Sequence, residues 1–292
     1  MDLILNELSL HGQFLSLDDF CASAKSLATI LQEIRSCNTN LQNEIGDDLK
    51  LYKPTTFNQL QVTPQMKFYE LLTSPNARLL PEIQRLKSLL TTLQIEPYWD
   101  THSLQNSTFQ YLVGSDNFRG TGIAEAYARS GVLISFIPSN YSYSPVVVEC
   151  NEVEKRIVNI FAERDLIDHL YKIQILNIGT YIRLMFNEKL NFNNIDCRYG
   201  FNLISSQNAN EFISSFKGFE QKSWQEIIID DGLDYKEFHK NTKTKKYFED
   251  NYWKKGIYKF KISSKIRVFG YRELDTFYVL RFDLDHKLSD LG

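Results

Sequence analysis

The chain has 292 residues, 43% of them hydrophobic and 24% charged, and a net charge of −3 at neutral pH. That composition supplies the core of one large or two smaller globular domains and excludes a disordered or fibrous chain. No apolar run approaches the ~18 residues that span a bilayer, and the start, MDLILNELSLHGQF, lacks the basic segment of a secretory signal, so a cytoplasmic protein without a membrane partner is expected.

The first hundred residues read as mainly helical. Ser16 caps a segment in which Leu17, Phe20, Ala24, Leu27, Leu31 and Ile34 keep a helical period, with Asp19 three residues after the cap. A second helix is expected from TPQMKFYELL, with Pro64 in its first turn, and a third from LLPEIQRLKSLLTTLQ, with Leu79, Ile83, Leu86, Leu90 and Leu93 on one stripe. GTGIAEAYARSG reads as a Thr-capped helix closed by Gly131. Its glycines do not complete GxGxxG and no GK[ST] follows, so the segment does not announce a nucleotide site. VLISFIP and SPVVVEC read as a central hairpin, and residues 151–177 as a long helix with a break near Ala162.

A domain boundary is expected at 193/194, giving domains 1–193 and 194–292 in an α+β protein. In the second, YGFNLIS is expected as a short strand and NANEFISSFKG as a helix, while QKSWQEIIIDDG fits either. DYKEFHKNTKTKKYFEDNYW reads as a basic helix, and Ile257–Ile262, Lys265–Tyr271 and Thr276–Phe282 as an antiparallel meander. The cysteines (21, 37, 150, 197) form no CxxC and the histidines (11, 102, 169, 239, 286) no HExxH or HxH, so neither a disulfide framework nor a metal site is expected, and no cofactor.

Charge is unevenly placed. Residues 236–292 hold 14 basic and 8 acidic side chains in a chain that is acidic overall, the footprint of an anionic partner. Lys243, Lys245, Lys246, Lys259 and Lys261 are the candidate phosphate contacts, and Tyr271 and Tyr278 the candidate stacking platforms. A four-residue connection between the last two strands sets Tyr271 opposite Thr276, and a five-residue connection sets Arg267 opposite Arg281. In the second register a bound phosphate relieves the repulsion of the two arginines. His286 and Lys287 follow the last strand. A histidine suits proton transfer near neutral pH, and cations suit the charged phosphorane of RNA cleavage. The alternative is that Arg267 and Arg281 pair with Asp283, Glu273 or Asp275.

The edge strand, KIRVFGYRELDTFYVLRFD and the His-containing tail together resemble the end of RelE/ParE-superfamily toxins, over about residues 235–292. That resemblance implies a metal-independent endoribonuclease with Arg267, Arg281, His286 and Lys287 as catalytic residues, RNA or the ribosome as target and a protein antitoxin as partner. The chain departs from those toxins in its length and its acidic balance. RDLIDH matches the R-x4-H pattern of HEPN ribonucleases, which implies Arg164 and His169 across a dimer instead. LILNELSLHGQF and LQIEPYWD resemble bacterial proteins of mobile genomic islands, which implies a toxin or phage-defence role; a non-catalytic nucleic-acid- or partner-binding subunit of a defence complex is the remaining alternative.

Overall fold

In the computed structural model, residues 1–40, 49–75, 80–93 and 109–291 are described, and the chain divides into two compact units, 1–166 and 167–292. Leu79, His102, the side chains of Cys37 and Leu93, and the segment 94–100 lie outside the described residues.

The first unit starts with β1 (Asp2–Leu5), whose Leu3, Ile4 and Leu5 are fully buried. A strand apolar on both faces belongs in the middle of a parallel sheet. α1 (Leu17–Asn40) follows, entered through a Ser16 hydroxyl that accepts the Asp19 N–H at 3.1 Å, and Phe20, Ala24, Leu27, Leu31 and Ile34 form its buried stripe. After β2 (Lys50–Tyr52) come the short pair β3 (Gln61–Thr63) and β4 (Met66–Lys67), then α2 (Phe68–Thr73) and α3 (Pro81–Leu93). The expected helix at 63–72 thus begins only at Phe68, because Thr63 and Met66 pair across a turn. β5 (Leu112–Val113) and β6 (Asp116–Asn117) precede α4 (Gly122–Arg129), and β7 (Val132–Ile134) follows it. β8 (Val146–Cys150), β9 (Val153–Ile157) and β10 (Asn159–Ile160) complete the unit.

Two sheets result. One is wholly parallel with order β10-β7-β1-β2, and the other runs β6-β5-β8-β9 with antiparallel pairing. VLISFIP and SPVVVEC therefore do not pair with each other: β7 joins β1, and β8 turns at Asn151–Glu152 into β9. The segment expected to be a long helix is strand up to Ile160 because VEKRI alternates, Lys155 reaching back to the Tyr127 carbonyl at 2.9 Å. The N-cap of α4 also differs. Thr121 donates to the Phe118 carbonyl, and the Glu7 carboxylate takes the Gly122 N–H with both oxygens at 3.0 Å. A Cβ at Gly122 would stand 2.7 Å from that carboxylate and 3.3 Å from the Leu5 carbonyl, so a larger residue would displace Glu7 from this cap.

α5 (Glu163–Lys172) carries the chain into the second unit, which continues with α6 (Ile178–Met185), β11 (Leu190–Asn191), α7 (Ala209–Gln221), α8 (Trp224–Ile229), β12 (Lys236–Phe238), α9 (Asp250–Lys255), β13 (Ile257–Lys261), β14 (Arg267–Glu273) and β15 (Thr276–Asp283). The sheet order is β11-β15-β14-β13-β12, with β11 parallel to β15 and the other pairs antiparallel. Residues 167–193 belong to this unit rather than ending the first, because β11 pairs with β15 and the Glu220 carboxylate accepts the N–H groups of Lys189 and Leu190 at 2.9 and 3.0 Å. YGFNLIS forms 3-10 turns at Cys197–Tyr199 and Phe201–Leu203, not a strand, and the expected basic helix is β12, a lysine-rich turn and α9.

Both faces of this sheet are covered. Phe212, Phe216 and Phe219 of α7 pack on Phe260, Phe277 and Phe282. The opposite face buries Phe238, Phe248, Phe269, Tyr271, Leu280 and Leu288. Each such aromatic contributes about 1.5–3 kcal/mol by burial. Among the described residues no helix is long and apolar enough to cross a membrane.

Candidate nucleic-acid interface

Register decides which C-terminal side chains meet. Glu273 pairs with Thr276 around a two-residue turn in which Leu274 has φ of +53°, and a bulge falls between Phe269 and Gly270. Neither expected register occurs: Tyr271 faces Tyr278, Arg267 faces Asp283, and Arg281 faces Phe269. A Cβ at Gly270 would overlap the Tyr278 carbonyl and the Phe277 ring, so glycine is required at the bulge.

Two segments bring further side chains to Arg281. From upstream, the Asp196 N–H donates to the Leu280 carbonyl at 2.9 Å, extending the β11–β15 alignment. The Asp196 carboxylate accepts the Arg198 N–H at 2.9 Å and the Arg198 guanidinium at 2.8 and 3.1 Å, which shapes the turn that presents Arg198 and Tyr199. From downstream, the fully buried Thr244 ties the lysine-rich turn, donating to the His239 carbonyl at 2.9 Å and accepting the Asn241 N–H at 2.7 Å. Lys243, Lys245 and Lys246 consequently project outward.

Between these segments lies a cleft of about 540 Å³ lined by Asn194, Asp196, Arg198, Lys246, Tyr247, Glu249, Tyr252 and Arg281, with Phe248 and Leu280. Cations and aromatic rings alternate in and beside it. The Arg281 guanidinium lies 3.7 Å from the Tyr199 ring centre and 5.5 Å from that of Tyr247. Arg198 covers Tyr199 at 5.6 Å, and Lys246 covers Tyr247 at 5.3 Å. Tyr271 stacks on Tyr278 (4.9 Å, 6°) and on Tyr252 (5.6 Å, 26°), and the Asn194 amide donates to the Tyr271 hydroxyl at 3.0 Å. Arg281 is 8% exposed and its Nε has no hydrogen-bond partner. Burial pushes its guanidinium below the ordinary value, opposed by Tyr199, Asp283 and Asp196. A buried cation short of acceptors, opening on a cleft and flanked by rings, is suited to a phosphate oxygen with a base stacked beside it.

The remaining expected residues lie elsewhere. Arg267 gives one guanidinium nitrogen to the carbonyls of Ser263 at 2.7 Å and Ile266 at 3.0 Å, and its other nitrogen stands 4.0 Å from Asp234. Lys259 is buried and donates to the Ser289 carbonyl and hydroxyl at 2.9 and 2.8 Å. Asp283 accepts the N–H groups of Leu288 and Ser289 at 3.1 and 2.9 Å, and burial raises its carboxyl above the ordinary range. His286 bonds Asp290 at 2.6 Å, and Lys287 pairs with Asp285. Arg267 ties the turn between β13 and β14, the others hold the C-terminal turn, and none of them lines the Arg281 cleft. Lys261 borders a separate shallow cleft beside α7. On α5, Arg164 and His169 sit five residues apart, about 140° around a helix, and Asp168 accepts a hydrogen bond from the Tyr181 hydroxyl at 2.7 Å. Burial lowers the imidazole pKa of His169.

Of the residues singled out in the sequence, Arg281 and Lys246 line the Arg281 cleft, whereas Tyr271 is buried in the core with Tyr278 packed against it; Asn194, Arg198, Tyr199, Tyr247 and Tyr252 were not singled out. The signal that finds them is basic–aromatic interleaving outside the meander, in DCRYGF and KKYFEDNYWKK. No family model matches the chain, and neither a curated protein nor a solved structure matches it.

Proposed function

We propose that the second unit binds single-stranded RNA through the Arg281 cleft, as the nucleic-acid-binding part of a bacterial toxin or defence system. The observation that carries this reading is the Arg198–Tyr199–Arg281–Tyr247–Lys246 ladder, in which a buried arginine lacking a carboxylate hydrogen bond stands between two rings. Guanidinium groups grip phosphate, and rings accept unstacked bases without regard to sequence. An acidic peptide would use the cations of the cleft but leave the rings beside them without a stacking partner, which an unstacked base supplies.

Binding rather than cleavage is what this geometry supports best. Histidine is the natural proton shuttle for metal-independent cleavage, yet His286 is bonded to Asp290 and stands outside the cleft. The test is fluorescence anisotropy of the full chain with a labelled single-stranded RNA, the same sequence as duplex, and a salt series. Preference for the single strand, with affinity falling as salt rises and about tenfold weaker binding by Tyr199→Ala, supports the proposal. Equal binding of duplex, or indifference to Tyr199→Ala, contradicts it. Product analysis in EDTA reads cleavage in the same samples; RNA cut by the wild type and spared by His286→Asn would restore the ribonuclease reading.

A further inference from the structure

The first unit carries a second cavity, chemically unlike the RNA cleft. In the parallel sheet, the chain leaves β1 through α1 to reach β2 on one side, while β7 and β10 lie on the other. The order of connection thus reverses between β1 and β7, and in open α/β sheets the crevice beyond the carboxyl ends of the strands at such a reversal is where small ligands bind. Here the carboxyl ends of β1 and β7 and the first residue of β10 are tied by a buried chain of hydrogen bonds. The Asn6 amide donates to the Ser135 hydroxyl at 2.9 Å, and that hydroxyl donates to Asn159 at 2.7 Å. The Asn159 amide then holds the Tyr141 carbonyl at 2.8 Å, fixing the loop after β7.

Between that loop and the first turns of α1 lies a cavity of about 850 Å³, lined among others by Phe14, Leu15, Ser23, Ile137, Pro138 and Phe161. Its wall is rigid. Gln13 clamps the Ser9 and Pro138 carbonyls at 2.7 and 3.0 Å, and Ser26 donates to the Phe161 carbonyl at 2.9 Å. Leu15 is 88% exposed at the lip and Ile137 36% exposed. One hydrogen-bond donor is left over at the base. Ser23 is 5% exposed, its oxygen accepts the Ile137 N–H at 3.1 Å, and no acceptor for its own proton is found among the described residues. The single charged lining residue is Asp19, and no lysine or arginine is present.

We infer that this cavity is a binding site for a mainly apolar small molecule with one hydrogen-bond acceptor and no negative charge. The lining removes apolar surface from water, Ser23 meets the acceptor, and Asp19 with no opposing cation excludes phosphates and carboxylates. The site is independent of the RNA-binding reading.

The test uses the full chain and two dyes of similar size: Nile red, neutral with a ring carbonyl, and the anionic 1-anilinonaphthalene-8-sulfonate. Nile red is expected to bind saturably at one site with blue-shifted emission, and the sulfonate at least tenfold more weakly. Ala22→Trp places an indole in the groove from an exposed helix position, and Leu15→Asp puts a charge at the lip. Each is expected to weaken Nile red at least tenfold with an unchanged melting temperature. The pair keeps the test decisive if one variant misfolds. Non-saturable Nile red uptake, equal binding of the sulfonate, or wild-type affinity in the two folded variants would overturn the assignment.

Discussion

Arg267 and Arg281 sit on neighbouring strands, each 8% exposed and each with an unpartnered Nε, yet their surroundings differ in kind. Arg267 is consumed by backbone carbonyls at the start of its own strand, beside Asp234 and opposite Asp283. No carbonyl or carboxylate among the described residues takes a hydrogen bond from Arg281, which lies between two tyrosine rings at the wall of a cleft. Burial and charge are equal in the two cases. On the proposed reading, what separates the structural Arg267 from Arg281 is whether carbonyl acceptors already take the guanidinium donors.

The comparison breaks most sharply on a crossed pair of substitutions. Arg281→Met is expected to weaken single-stranded RNA at least 30-fold, since truncating a buried charge at an interface costs about 2–5 kcal/mol, with little change in stability. Arg267→Met is expected to leave RNA affinity within twofold and lower stability by about 1–3 kcal/mol, because the carbonyls of Ser263 and Ile266 lose their donor. Anisotropy and denaturant titration read the two effects. Similar RNA losses in both variants would dissolve the distinction.

A smaller effect comes from the exposed members of the ladder. Arg198→Gln and Lys246→Gln are each expected to weaken binding a few-fold and to reduce the salt slope by about 1. Smaller again is His286→Asn, chosen because His286 has φ of +63°, a conformation asparagine tolerates. RNA affinity should not change, and loss of the half-exposed pair with Asp290 is expected to shift stability by no more than about 1 kcal/mol.

The smallest is a pH effect away from the cleft. Burial, reinforced by Lys172, holds the His169 imidazole below its ordinary value. A lowered value means that folding favours the neutral ring, so its contribution is complete above the ordinary histidine range near ~6.5 and declines as pH falls below it. The wild type is therefore expected to lose more melting temperature than His169→Gln between neutral and mildly acidic pH.

The sequence revealed some of this plainly and hid the rest for identifiable reasons. α1, α3 and the meander were visible because their periods are long: Phe20 to Ile34 repeats at helical spacing, and strands β13 to β15 run for five, seven and eight residues. β2 is three residues long and gains its identity only from pairing with β1, so no local pattern marks it; β7 was visible in VLISFIP, but its pairing with β1 was not. VEKRI was misread because two adjacent basic residues between apolar ends satisfy a helical and an alternating pattern alike. The Arg281 site was half legible for a similar reason. Basic and aromatic residues at 246–281 advertised an anion-binding surface, but Tyr199 arrives across more than eighty residues through β11, and the bulge at Gly270 shifts the register in a way that loop length does not disclose.

The most direct measurement is a nitrogen-15 spectrum of the arginine Nε–H groups during titration with single-stranded RNA. Both buried Nε–H groups lack partners in the free protein, so each reports its own surroundings. The Arg281 resonance is expected to shift and saturate with the RNA while that of Arg267 stays in place. A moving Arg267 signal with Arg281 unmoved, or RNA binding that leaves both unmoved, would contradict the placement of the site at Arg281.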